Sequence, residues 1–349
     1  MLSKKQEKIL EAKDPIIFVN AAAAAGKTRV LTEKVRQSIA AGKKTVAFTF
    51  TNMAAGEMKK RLGIRNNENV FIGTIHSYCA QILFRAGVEG VSEYIEQEEF
   101  DKLFRLVLKN PHCIPEIDIC ICDEAQDSNN YQLMFIFDML AAKEYFIVYD
   151  VRQSIYRWAG AKPDLLYKYG ERLNATVYSL NENYRNGRKI LEFARPLLKK
   201  SSIPDDSIAM RTIDGKVKTA VFSYETIEEY LKSAGTYKDW AILVRTNEQI
   251  TMICNWLKER NIPYDSFKQG DLLKEELDMK MAANTVKVLT VHSAKGLEWP
   301  YCVVIGMRQY DAESCSISYV AATRARDGLL WMAAPEKRKA KPTKMMKWG

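Results

Sequence analysis

Two short apolar runs, each ending in a cluster of polar or small residues, constrain this chain more than any other feature. Ile16-Ile17-Phe18-Val19 leads through Asn20 and five alanines into Gly26-Lys27-Thr28. The stretch from Ile117 to Cys122 leads directly into Asp123-Glu124-Ala125-Gln126-Asp127. Runs of this kind read as strands buried on both faces, as in a parallel sheet. Similar β-rich runs alternate with helix-period segments along all 349 residues, so the expected class is α/β with parallel sheets. Candidate strands are 16–20, 45–50, 70–72, 117–122 and 145–149 in the first half, and 176–179, 218–222, 240–244, 286–290 and 302–305 in the second. Helices are expected over 27–41, 52–63, 75–86, 97–108, 130–141, 165–172, 186–199, 225–234, 247–260 and 315–325. The joint is expected near 172–180, giving a first domain over 1–175, a second over 176–334 and a basic tail over 335–349. Two similar α/β halves make a cleft, where ligands usually bind in such folds.

Composition excludes several classes. No segment approaches the ~20 continuous apolar residues of a membrane span, and the N-terminus lacks the pattern of a signal peptide, so no membrane partner is expected. The seven cysteines (Cys79, Cys113, Cys120, Cys122, Cys254, Cys302, Cys315) form no C-x-x-C pair, and only His76, His112 and His292 could join them. Dispersed free thiols suit a reducing cytoplasm. The net charge of +9 is uneven, because Lys337, Arg338, Lys339, Lys341, Lys344 and Lys347 crowd the last residues against Glu336 alone. Such a tail is either a solvated end or a contact for nucleic-acid phosphates. By itself it decides neither.

Ala21 to Thr28 fits a phosphate loop in which alanine stands for the first glycine. The backbone N–H groups of Ala22, Ala23, Ala24, Ala25 and Gly26 would wrap phosphate oxygens at a helix start. Lys27 would reach the β/γ-phosphates, and Thr28 would reach Mg²⁺. Alanine tolerates positive φ poorly, so the loop must turn without it or lose nucleotide affinity. Asp123 would hold Mg²⁺, and Glu124 would orient and deprotonate an attacking water. The bland alternatives are a helix start that happens to read Gly-Lys-Thr and a solvated acidic loop. Buried strands that end at both places argue against them.

In order along the chain, these motifs resemble the UvrD/Rep/PcrA family of superfamily 1 DNA helicases. Thr49-Phe50-Thr51-Asn52-Met53-Ala54-Ala55 looks like its motif Ia, Gly73-Thr74-Ile75-His76 like Ib, and Asp123 to Asp127 like its Walker B form. Gln153-Ser154-Ile155-Tyr156-Arg157-Trp158 resembles motif III, and Asn183-Tyr184-Arg185 resembles motif IV. His292 to Glu298 resembles motif V, and Tyr319 to Ala325 resembles motif VI. The resemblance implies two RecA-like domains forming an ATP-binding cleft, with ATP and Mg²⁺ as cofactors. It also implies single-stranded DNA and single/double-strand junctions as partners, alongside a replication or repair protein. Gln6 would read adenine, Tyr184 would stack on it with Arg29 nearby, and Glu298 would contact the sugar or phosphates. Gln153 would sense the γ-phosphate, while Arg185 and Arg324 would act as arginine fingers. Phe50, Tyr156 and Trp158 would stack bases at ~1–3 kcal/mol each, with Asn52, His76 and His292 touching backbone or bases. Because Tyr156 and Trp158 are two residues apart, a loop or helix start suits them better than a regular helix. For Phe50, the competing role is a core residue ending its strand.

Only residues 77–122 and 186–289 fill the gaps where the family carries large insertions. Ser314, Cys315 and Ser316 also stand where acidic and arginine residues are common in the family. The resemblance therefore implies a compact motor, moving 3′ to 5′ on single strands and unwinding duplex weakly. Two other classes remain: a non-cycling single-strand-binding or loading factor, and an RNA helicase. Retention of Lys27, Thr28, Asp123, Glu124, Gln153, Arg185 and Arg324 argues against the first. Nothing in the sequence reads a 2′-OH for the second.

Overall fold

The computed structural model describes residues 2–200, 204–267 and 274–333 and contains two six-stranded, all-parallel sheets. The first holds β1 (Ile16–Ala21), β2 (Thr45–Phe48), β3 (Val70–Gly73), β4 (Ile119–Cys122), β5 (Glu144–Tyr149) and β6 (Thr176–Leu180), in the order β3-β2-β4-β5-β1-β6. A small parallel pair follows, β7 (Glu182–Asn183) with β8 (Ile208–Ala209). The second sheet holds β9 (Lys216–Val221), β10 (Trp240–Val244), β11 (Tyr264–Ser266), β12 (Val286–Thr290), β13 (Trp299–Ile305) and β14 (Ala325–Ala333), in the order β11-β12-β10-β13-β14-β9. The α/β class with two parallel-sheet domains is thus as expected.

Burial explains which runs were readable. Every residue of β2, β4 and β10 is buried, as unbroken apolar runs require in a sheet covered on both faces. The first sheet separates two apolar layers, with Phe18, Phe48 and Cys122 on one face and Ile17, Val19 and Ile121 on the other. One layer of the second sheet takes in Ala23 and Ile155 from the first lobe. The two lobes therefore share apolar packing beside the phosphate loop.

Several boundaries differ from expectation. The strand at 176–180 pairs with β1, from Ile17 opposite Thr176 to Ala21 opposite Leu180, so it closes the first sheet rather than opening the second domain. Its alternating burial is that of an edge strand, and alternation does not say which sheet a strand joins. The helix expected over 97–108 runs from Phe100 to Lys109, and a separate helix, Val91–Glu96, precedes it, with Glu98 between them at φ 56°. The one expected over 130–141 changes from α to π winding at Phe135–Met139. The helix expected to reach 325 stops at Ala322, and β14 begins at Ala325. The basic tail over 335–349 lies outside the described residues.

Candidate functional site

The phosphate loop joins β1 to the helix Lys27–Ala40. Gly26, at φ 80°, supplies the left-handed residue at the helix start, and a Cβ there would lie 2.6 Å from Gln6 Nε2. The positive φ is what favours glycine here, since the close contact falls on the end of a side chain. Ala24 also lies in the left-handed region, at φ 58°. The loop therefore does not avoid positive φ; it accepts the strain at one alanine, costing about 1–2 kcal/mol. Its carbonyls are held from three sides. Gln6 Nε2 donates to Ala25 O at 3.0 Å, Asn183 Nδ2 donates to Ala23 O at 2.9 Å, and the Tyr184 N–H donates to Ala24 O at 3.2 Å. Gln6 is itself fixed in a capping box with Ser3. Thr28 and Arg29 are exposed at the head of the helix.

The acidic pair stands at the carboxyl end of β4. Glu124 takes φ 49°, which turns its side chain toward the loop. Lys27 Nζ lies 3.1 Å from Glu124 Oε1, and Lys295 Nζ, from the second lobe, lies 3.9 Å from Oε2. Gln126 Nε2 donates to the same carboxylate at 2.5 Å. Against the burial that would raise it, Lys27 and Lys295 hold the Glu124 carboxyl below its ordinary range. Burial and the Glu124 charge push Asp123 up. A carboxylate so raised is one that a divalent cation would keep ionised.

Groups from the second lobe complete this side. Arg324, 1% exposed, donates from Nη2 to Gln153 Oε1 at 3.2 Å across the cleft. Gln153 Nε2 donates in turn to Asp150 at 2.6 Å. Burial and the neighbouring Arg185 push the Arg324 guanidinium down to about 9. Arg185 pairs with Glu298 and donates from Nη1 to Thr323 O at 3.4 Å. Lys27 Nζ is buried and, among the described residues, finds no aligned hydrogen-bond acceptor beyond its ion pair. Two buried cations, one lacking an aligned acceptor and the other depressed by its surroundings, are what a polyanion would satisfy. The residues present therefore fit a nucleotide triphosphate with its magnesium ion. Lys27 and the loop would hold the phosphates, and Thr28 and Asp123 would hold the metal.

Beside this cleft lies an aromatic group. Phe50 and Tyr156 stack with centroids 5.0 Å apart, Trp158 lies 6.0 Å from His292, and His292 lies 5.9 Å from Tyr156. Trp158 is 71% exposed and Phe50 is 43% exposed, so Phe50 is not core. Tyr156 caps a single 3-10 turn, Arg157–Ala159, that contains Trp158, in keeping with the loop or helix start expected there. Asn52 is exposed at the start of the helix Asn52–Leu62. His76 sits apart from the group, packed between Phe100 and Phe104, and its Nε2 has no hydrogen-bond partner among the described residues. A cavity of ≈ 200 Å³ is lined by His76 and Phe50 together with Asp123 and Glu124. Tyr184 is exposed, and its hydroxyl donates to Glu182 at 2.9 Å.

Sequence reasoning did not single out Lys295, Asp127 or Asn183 as actors. Lys295 pairs with the buried Asp127, donates to Gln153 O at 2.9 Å and lies 5.1 Å from the centre of the Tyr156 ring. The available signal was a lysine following a buried strand in a motif already recognised.

Family models match almost the whole described chain. The UvrD/REP helicase N-terminal domain matches residues 2–110 and 112–174, and two UvrD-like helicase C-terminal domain models match 178–277 and 285–331. Among curated proteins, the chain is 24% identical to a probable DNA helicase II homolog of Mycoplasma capricolum, covering 76% of this chain and 52% of that protein. It is 26% identical to the ATP-dependent DNA helicase PcrA of Bacillus subtilis, covering 76% and 50%. Against the ATP-dependent DNA helicase Rep of Escherichia coli it is 24% identical, covering 75% and 54%. The chain thus spans about half the length of these relatives. Among the described residues, no helix is long and apolar enough to cross a membrane.

Proposed function

The chain belongs to the UvrD/Rep/PcrA-like helicase family, and from that premise we propose that it is an ATP-hydrolysing motor on single-stranded DNA. It would translocate 3′ to 5′ and act as a helicase at single-strand/duplex junctions in replication, repair or recombination. One observation carries the reading. Lys27, Glu124 and Gln153 of the first lobe meet Arg324 and Lys295 of the second at one cleft, and Lys295 also reaches the aromatic group.

In this reading the phosphate-loop N–H groups and Lys27 bind the phosphates, while Gln6 and Tyr184 flank the base. Glu124, held ionised by its two lysines, accepts the proton of the attacking water. Magnesium, when bound, would neutralise charge on the phosphates and orient them. Arg324 and Arg185 stabilise charge on the transferring phosphoryl group. Bases stack on Phe50, Tyr156 and Trp158, with Asn52, His76 and His292 alongside. Closure around nucleotide and reopening after hydrolysis would alternate the grip. Lys295 links the two events because it contacts Asp127, the Gln153 carbonyl and the Tyr156 ring together.

The test is ATP hydrolysis with single-stranded DNA, with single-stranded RNA and with neither, alongside duplexes tailed at each end. Stimulation by DNA and slow unwinding of the 3′-tailed duplex alone are expected. Equal stimulation by RNA would overturn the DNA assignment, and brisk unwinding of long duplexes by the monomer would overturn weak unwinding. Single-strand binding with no hydrolysis would replace the motor with a non-cycling binding or loading factor.

A further inference from the structure

Next to Gln153 the chain buries an arginine that the scheme above leaves without a task. The Arg152 side chain is 1% exposed. Its Nε donates to Asp150 Oδ1 at 2.7 Å, its Nη2 to Asn20 Oδ1 at 3.3 Å, and its Nη1 to Asp206 Oδ1 at 2.9 Å. Asp205 Oδ1 lies 3.6 Å from the same Nη1, on a side chain with no exposure. Asn20 lies one residue before the end of β1 and Asp150 directly follows β5 of the first sheet, whereas Asp205 and Asp206 lie in the segment leading into β8, beyond that sheet. One guanidinium therefore ties the carboxyl edges of two central strands to the neighbouring lobe. An isolated ion pair would not need so many acceptors. Buried links of this kind are geometrically specific, and removing one member strands the others.

What this link holds is the turn that carries Gln153. Asp150 accepts from Arg152 through Oδ1 and from Gln153 Nε2 through Oδ2, while the Asp150 N–H donates to Gln126 Oε1 at 2.9 Å. Gln153 is thereby held at both ends of its amide, by Asp150 on one side and by Arg324 on the other. We propose that Arg152 is a positioning residue that clamps the Asp150–Gln153 turn to Asp205 and Asp206. The clamp keeps one inter-lobe contact in place while the cleft opens and closes, and it presents the Gln153 amide to the phosphate end. The inference rests on the motor reading for its effect on turnover, and on geometry alone for the clamp.

Arg152→Ala would leave buried carboxylates without their cation and could fail to fold. The informative variants are Arg152→Lys, which keeps the charge but cannot bridge the same acceptors, and Asp206→Asn at a half-exposed position. Each is expected to lower DNA-stimulated hydrolysis at saturating ATP about tenfold. ATP KM should stay within about twofold, and Asp206→Asn, at the half-exposed end of the link, should leave the melting temperature nearly unchanged. The double variant should be no worse than the worse single, because both cut one link. Hydrogen exchange over 150–156 should rise in both. Unchanged turnover, losses that multiply, or a loss tracking thermal stability would overturn the assignment. Should the wild-type protein hydrolyse no ATP, the motor reading fails instead, and the exchange measurement still decides the clamp. Unaltered protection of 150–156 in both variants would then refute it.

Discussion

Ala24 allows a sharp test of the phosphate loop. It is the one residue of Ala21–Ala25 with positive φ, at 58°. A left-handed alanine is worse than glycine by about 1–2 kcal/mol. Glycine gives back about 0.4–1 kcal/mol through the greater freedom of the unfolded chain. Ala24→Gly should therefore stabilise the protein by about 0.5–1 kcal/mol, net of the two effects. Ala25, one residue on, has ordinary φ and is 1% exposed, so Ala25→Gly carries only the unfavourable part. Lost backbone restriction and a lost buried methyl together destabilise it by about 1–2 kcal/mol. The same chemical change at adjacent positions should thus move stability in opposite directions, with a gap of about 2 kcal/mol. Urea unfolding followed by tryptophan fluorescence would measure both variants against wild type. Midpoints that shift together in the same direction would show that Ala24 does not carry the strain.

Four further outcomes are expected. Glu124→Gln should lower turnover at least a hundredfold while retaining ATP binding; equal loss of both in an ATP-binding titration would argue for misfolding. Trp158→Ala should weaken single-stranded DNA binding by about 1–3 kcal/mol and spare DNA-independent hydrolysis, as checked by fluorescence anisotropy beside a hydrolysis assay. Glu182 accepts from both Ser3 Oγ, at 2.5 Å, and Tyr184 OH, so Glu182→Gln should raise ATP KM several-fold with little change in kcat, measured by steady-state kinetics. Burial lifts Asp127 to about 6 against the opposing pull of Lys295. Its ionised form, and the inter-lobe pair, is lost as pH falls through that value, so DNA-stimulated turnover should drop there. The sign for stability is opposite. A carboxyl raised above its unfolded value favours the fold at low pH and loses that contribution as pH rises through about 6. Acid should therefore slow the proposed turnover without this group lowering the melting temperature, and a pH series of both measurements separates the two.

The core of the fold was legible because β1, β4 and β10 are buried on both faces, which writes burial into the sequence as unbroken apolar runs. Edge strands carry less information. Thr176–Leu180 was recognised as a strand but given to the wrong sheet, since its alternation records only that one face is covered. β14 was missed because Arg326-Asp327-Gly328 interrupts the apolar pattern at its start. In the site, Lys27, Glu124, Gln153 and Arg324 were named from motifs, and they meet at the cleft. Their mutual contacts were not readable. Nothing in linear order says that Lys295 would lie by Glu124, or that Arg152 would find carboxylates more than 50 positions downstream. Long-range polar pairing leaves no periodicity to read.

Two of the asparagines after β6, Asn183 and Asn186, have a mechanical consequence. Asn183 Nδ2 donates both to Ala23 O and, at 2.8 Å, to Asn186 Oδ1, and Asn186 Nδ2 donates to Thr323 O and Ala325 O on either side of Arg324. The loop proposed to hold the phosphates and the segment bearing Arg324 are thus braced by a single strut of side-chain amides. A tug on either end is felt at the other, so a substrate too short to engage the arginine would leave the strut slack.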